Sequence, residues 1–138
     1  RDRVCAVSNK THYNEMNVLS MHALIGAYQP QGYEWVDELN EVIKGNVDYF
    51  CGCVDEHFEG VAYSRPQGTY MVFLDCTEWC RAHGRDIQWL LDEGARVGVG
   101  YQDGRPFHGP CHIRVNLALP LSRVKEACDR LDRYVFNA

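Results

Sequence analysis

The chain has 138 residues, 46% apolar and 24% charged, with 14 basic and 19 acidic side chains and a formal charge of −5. This length supports one ordinary domain with a single hydrophobic core, not two. The acidic balance gives no electrostatic basis for binding nucleic acid or an anionic membrane surface, and no apolar run approaches the roughly 20 residues needed to span a bilayer.

The segment up to about Glu15 is polar, and Lys10 within it reads as a solvated lysine ahead of a helix. Val18, Leu19, Met21, His22, Leu24, Ile25 and Tyr28 then form a mostly apolar helical run, closed by the breaker Gln29-Pro30-Gln31-Gly32. A helix apolar almost all round needs neighbours on several sides, more than the rest of this chain offers. From Tyr33 to about Phe58, steps of three and four residues through Val36, Leu39, Ile43, Val47, Phe50 and Val54 predict a long amphipathic helix. Gly45 inside it marks close packing or a bend.

Gly60 to Ser64 reads as a short strand, Arg65-Pro66-Gln67-Gly68 as a turn and Thr69 to Leu74 as a second strand. Thr77 is expected to cap a short helix ending at Gly84, and Asp86 a second one over Ile87 to Glu93 with Gly94 as its stop. A strand is expected over Arg96 to Val99, followed by a glycine- and proline-rich loop from Gly100 to Gly109, long enough to line a site. A strand over His112 to Leu117 comes next, and then a helix capped by Ser122 with Val124, Ala127, Cys128, Leu131, Tyr134 and Val135 down one face. Together these elements predict an α+β fold, a small and largely antiparallel sheet with helices packed on it.

In the strand from His112, Ile113, Val115 and Leu117 face one side, and His112, Arg114 and Asn116 the other. The planar fork of Arg114 suits a carboxylate held by two parallel hydrogen bonds. The plainer reading is an arginine snorkelling from a half-buried strand, and residue type alone leaves both open. No metal site is expected. Cys51 and Cys53 lie two apart on a helix and point to different sides, and Cys76, Cys80, His83, Cys111 and His112 do not form paired ligand knuckles. The seven cysteines are odd in number and scattered among apolar positions, so they read as reduced packing residues and favour a cytoplasmic setting. No signal-peptide pattern and no initiator methionine precede Val4, and the chain reads as a piece of something longer.

Three blocks carry a family resemblance: Gly32-Tyr33-Glu34-Trp35-Val36-Asp37-Glu38-Leu39 with Asn46-Val47-Asp48-Tyr49, then Pro66 through Asp75, then Ile113-Arg114-Val115-Asn116-Leu117-Ala118. In this order they resemble the C-terminal part of the class I/II aminotransferases, in the branch of cystathionine β-lyase-like carbon–sulfur lyases. The resemblance implies the type I fold of pyridoxal-phosphate enzymes, with residues 32–138 as the C-terminal small domain and residues 1–31, including a helix at about 17–28, as the tail of a preceding large-domain segment. It implies that Arg114 binds the substrate α-carboxylate. The cofactor, pyridoxal 5'-phosphate, would be held mainly by the upstream large domain, so that neither catalytic nor cofactor-binding residues are expected within this chain, and Lys10 does not match the family lysine. The expected partners are an amino-acid substrate and the large domain, with a homodimer at full length. The loop Gly100 to Gly109 departs from the small, glycine-rich version common in the family. The rival expectation is a free-standing, non-catalytic α+β module for ligand binding or dimerisation.

Overall fold

The computed structural model describes residues 1–11 and 16–137, and the chain divides into two units, residues 1–39 and 40–138. The last residues of the polar opening segment, 12–15, lie outside the described residues.

In the first unit, α1 (Asp2–Thr11) forms where the sequence suggested only a polar segment. Asp2 in its first turn and Lys10 in its last complement the helix dipole. The second helix, α2 (Val18–Ala27), is capped by Asn17, whose side chain accepts from the Ser20 N–H at 2.9 Å. No residue of α2 is buried, and Leu19 is 82% exposed. The expected break after α2 is present but short: the helix ends at Ala27, Tyr28 and Gln29 interrupt it, and α3 (Pro30–His57) starts at the proline itself, so that Pro30 to Gly32 open the next helix. Proline suits the first helical turn, where its missing N–H would be unpaired anyway and its fixed φ is already helical.

The second unit contains the C-terminal half of α3 and then β1 (Ala62–Tyr63), β2 (Met71–Asp75), α4 (Thr77–His83), α5 (Ile87–Arg96), β3 (Gln102–Asp103), a 3-10 turn over Arg105–Phe107, β4 (His112–Asn116), α6 (Leu121–Leu131) and a π turn over Asp132–Phe136. The strands form one antiparallel sheet in the order β1-β2-β4-β3. Pairing of Val72 with Val115 and of Leu74 with Ile113 puts all four on one face, where they are buried in a common core with Phe50 and Val54 of α3, Leu90 of α5 and Val124, Cys128 and Leu131 of α6. Burying each such leucine, isoleucine or phenylalanine contributes about 1.5–3 kcal/mol, which makes this apolar face the main support of the unit. Phe136 closes the core at one end, stacked on Phe58 at 4.3 Å between ring centres, and its carbonyl accepts the Trp79 indole N–H at 3.2 Å. The α+β expectation holds.

Several local expectations do not. Thr77 is the first residue of α4 rather than its cap; the Asp75 carboxylate takes the Thr77 N–H at 2.9 Å instead. Gly94 does not stop α5. It is buried inside that helix because a Cβ there would lie 2.4 Å from the Tyr101 ring, so only glycine leaves room for the tyrosine. The left-handed stop falls at Gly98 (φ 75°), and with Val97 N bonded to Glu93 O at 3.0 Å and Val99 N to Gly94 O at 2.8 Å, residues 97–99 cannot form the expected strand. Strand pairing begins instead at Gln102. Ser122 lies in the first turn of α6, two residues past Pro120 at the N-cap. Close packing does not explain Gly45, since a Cβ there would meet nothing within 4 Å.

Candidate functional site

The sheet face opposite the core carries Met71, Phe73 and Asp75 of β2 and His112 and Arg114 of β4, all partly exposed. Register places Arg114 between Phe73 on one side and Gln102 on the other. Alternation along β4 thus does what the sequence suggested: Ile113 and Val115 anchor the strand in the core while Arg114 is turned to the open face.

The end of β4 is fastened from within. Asn46, 1% exposed on α3, donates from Nδ2 to the carbonyls of Leu117 at 2.8 Å and Leu119 at 2.7 Å. The Leu117 N–H donates in turn to Tyr70 O at 2.8 Å. Sequence reasoning missed Asn46 as a support, although a signal existed: it continues the helical phase of Leu39 and Ile43 towards Phe50, and a polar residue in an apolar stripe calls for buried partners.

The loop between β3 and β4 folds back on this face. Its 3-10 turn brings the Phe107 ring against Arg114, with the guanidinium carbon 4.2 Å from the ring centre. The approach is close: a Cβ on Gly104 would lie 2.5 Å from the His112 carbonyl oxygen, and one on Gly109 would lie 2.5 Å from the Phe73 ring. Beside Arg114, the His112 ring lies 4.7 Å from that of Phe73, with Nε2 3.8 Å from Asp75 Oδ2. Its Nδ1 is buried and has no hydrogen-bond partner among the described residues. Burial pushes the Asp75 carboxyl up, but the two Thr77 hydrogen bonds and the neighbouring His112 outweigh it and leave it below the usual carboxylate range.

Among the described residues, the Arg114 guanidinium makes no hydrogen bond or ion pair; it lies over the Phe107 ring. By contrast Arg65, Arg81, Arg96, Arg105, Arg123 and Arg130 each pair with a carboxylate. A cleft of about 350 Å³ beside α6, lined in part by Asn116, Leu119, Arg123 and Arg130, holds arginines already committed to Glu126. Among the described residues, the half-buried arginine without a carboxylate partner is therefore on the sheet, not in that cleft. Chemically the face offers a planar two-pronged donor, flanked by aromatic rings and polar strand residues.

Lys10 is exposed on α1. All seven thiols are unbridged. Cys53 and Cys128 perturb one another's ionisation, as Cys111 does that of Cys80. Among the described residues, no group of three histidine, cysteine, aspartate or glutamate side chains could hold a metal ion, and no helix is long and apolar enough to cross a membrane.

No family model matches the chain. Over 122 residues, 77% of the chain, it is 32% identical to the protein named "Putative cystathionine beta-lyase" from Mycobacterium leprae, of which it covers 29%. Its fold superposes on the PLP-bound C-S lyase from Staphylococcus hominis with a TM-score of 0.81 at 19% identity, covering 99% of this chain and 36% of that one. It also superposes on a Thermus thermophilus aspartate aminotransferase with a TM-score of 0.78 at 19% identity, covering 94% of this chain and 34% of the other. The chain thus spans about a third of the length of the proteins it matches. In sequence it is similar to a protein named as a cystathionine beta-lyase, and its α+β fold matches about a third of a PLP-bound enzyme of the type I fold.

Proposed function

We propose that this chain is the C-terminal domain of a pyridoxal-phosphate-dependent aminotransferase or cystathionine β-lyase-like C–S lyase acting on amino acids, and that Arg114 binds the substrate α-carboxylate. Residues 32–138 form the small domain in this reading, and residues 1–31 the tail of a preceding large-domain segment. The observation that carries it is an arginine without a carboxylate partner, held half-buried on an open sheet face, in a chain similar to enzymes of that class. The apolar surface of α2, left uncovered, supports a larger neighbour.

The described residues do not themselves fit the cofactor: Lys10 stands alone on an exposed polar helix, and no cradle of backbone N–H groups adjoins it. The large domain would hold it, and full-length protein would act as a homodimer. When bound, pyridoxal phosphate supplies an electron sink for bond breaking at the α-carbon of an amino acid. This chain supplies grip and orientation. Two parallel charge-assisted hydrogen bonds from Arg114 fix the carboxylate and with it the direction of the bonds at the α-carbon.

The test is kinetic, on the full-length protein, with cystathionine and with an amino acid plus a keto acid to separate elimination from transamination. A lysine keeps the charge but gives a single point contact, and a hydrogen bond to a charged group contributes about 1.5–3 kcal/mol. Arg114→Lys should therefore lower kcat/KM by about ten- to a hundredfold and Arg114→Ala by more, with part of the loss in kcat. The α-amide of the substrate should be a poor substitute for the acid. Activity of Arg114→Ala within about twofold of wild type, or no discrimination between acid and amide, would return Arg114 to a structural strand residue.

A further inference from the structure

We propose that Phe107 is a positioning residue for Arg114: the guanidinium lies over its ring, and the contact holds the group in place before a carboxylate arrives. The inference rests on the carboxylate-binding reading of Arg114 above and names the device that prepares it.

The argument starts from an aromatic side chain in an unexpected place. Phe107 is 47% exposed and takes no part in the core, yet the loop that carries it is tied down along its length. At its start Asp103 accepts from the Arg105 backbone N–H at 2.9 Å and from Arg105 Nε at 2.7 Å, and Arg105 Nη2 donates to Gln88 Oε1 on α5 at 2.9 Å. In the middle, Phe107 N donates to Gly104 O at 2.8 Å, and His108 takes the left-handed conformation (φ 62°). At the end, Gly104 N bonds to His112 O at 2.9 Å and His112 N to Gly109 O at 3.2 Å, which joins both loop ends to β4 itself. Gly104 and Gly109 approach His112 and Phe73 too closely to carry a Cβ. A loop with this many constraints, including a non-glycine residue at positive φ next to Phe107, is shaped to put one side chain in one place.

That place is beside Arg114, whose guanidinium carbon lies over the ring, 4.2 Å from its centre. Guanidinium N–H donors lie in the plane of the group, whereas an aromatic ring attracts the cation through its face. This contact uses none of the guanidinium's hydrogen-bond donors, which stay available, and it restricts a side chain that would otherwise lose several rotamers on binding. A carboxylate would meet an arginine whose plane is already set.

The experiment uses the full-length protein loaded with cofactor. The probe is 3-methylthiopropionate, a carboxylate with no amine to react, compared with its neutral amide. Dissociation constants are measured by calorimetry for wild type, Phe107→Leu, Phe107→Tyr and Arg114→Ala. Phe107→Leu keeps apolar bulk without the ring and should weaken carboxylate binding about three- to tenfold, while amide binding moves less than about twofold. Phe107→Tyr keeps the ring and should stay within about twofold of wild type. For substrate, the Phe107→Leu loss should appear mainly in KM. If Arg114→Ala removes the preference for acid over amide but Phe107→Leu leaves it intact, or weakens both probes equally, or Phe107→Tyr behaves like Phe107→Leu, the positioning role is overturned while the carboxylate reading stands. If wild type itself does not prefer the acid, both fall.

Discussion

Removal of the Asn46 amide should be one of the more costly single changes in the second unit. Its Nδ2 serves two carbonyls, those of Leu117 and Leu119. The Leu117 bond is buried, so its carbonyl would lose its partner without gaining water, at about 1–3 kcal/mol. The Leu119 bond is only partly buried, and its carbonyl can hydrate, so the ordinary net contribution of about 0.5–1.5 kcal/mol applies. Asn46→Ala should therefore destabilise by about 2–4 kcal/mol, read as a lower urea midpoint at unchanged slope. Asn46→Leu restores volume without a donor and should recover little of the loss. Asn46→Asp should respond to pH. Its carboxylate would face two carbonyl oxygens in a buried site, which raises its folded-state pKa above the unfolded value of about 3.9. That variant should be least stable at neutral pH and regain stability as pH falls through the raised value, where the protonated acid can donate to one carbonyl. An Asn46→Ala loss under about 0.5 kcal/mol, or an Asp variant as stable at pH 7 as at pH 5, would refute this account of the β4 anchor.

Gly94→Ala should destabilise by about 1–3 kcal/mol despite the better helix propensity of alanine, because the new methyl meets the Tyr101 ring; Tyr101→Ala in the same background should cancel most of the effect in a urea double-mutant cycle. The Asp75 carboxyl lies below its ordinary range, so it adds stability that is present above the unfolded pKa and lost as pH falls through the lower folded value; Asp75→Asn should flatten the acid limb of the stability curve below about pH 4, and an unchanged limb would argue against the Thr77 bonds. With a thiol reagent, exposed Cys5 should react first. Cys80, pushed up to about 12 by burial and by the neighbouring Cys111, and Cys76, raised further by burial, should react only on unfolding, when the unreduced protein should titrate all seven thiols; native-state labelling of Cys76 at the rate of Cys5 would contradict the packing.

The elements whose information is local were legible in the chain. Periodicity marked α2, the long α3 and α6; Asp86 was readable as a cap because a side chain reaching three residues on, to the Trp89 N–H at 2.8 Å, involves no distant partner. Alternation from His112 to Leu117 separated Arg114 from the core side, since a period of two needs only neighbouring residues. Where a residue answers to something far along the chain, local reasoning failed. Gly94 looked like a helix stop because glycine usually is one, but its role is to admit Tyr101. Asn46 looked like one more helix residue because its partners lie more than 70 positions away. The sequence by itself determined the α+β class, the side of β4 on which Arg114 stands and the family the chain resembles. Only the tertiary structure decided that the strands order as β1-β2-β4-β3, that Phe107 lies on Arg114, and that this arginine lacks a carboxylate partner among the described residues. Helical phase and strand alternation follow from backbone geometry within a few residues, whereas pairing order, close approach and the company of a charge depend on which distant segments share the same space.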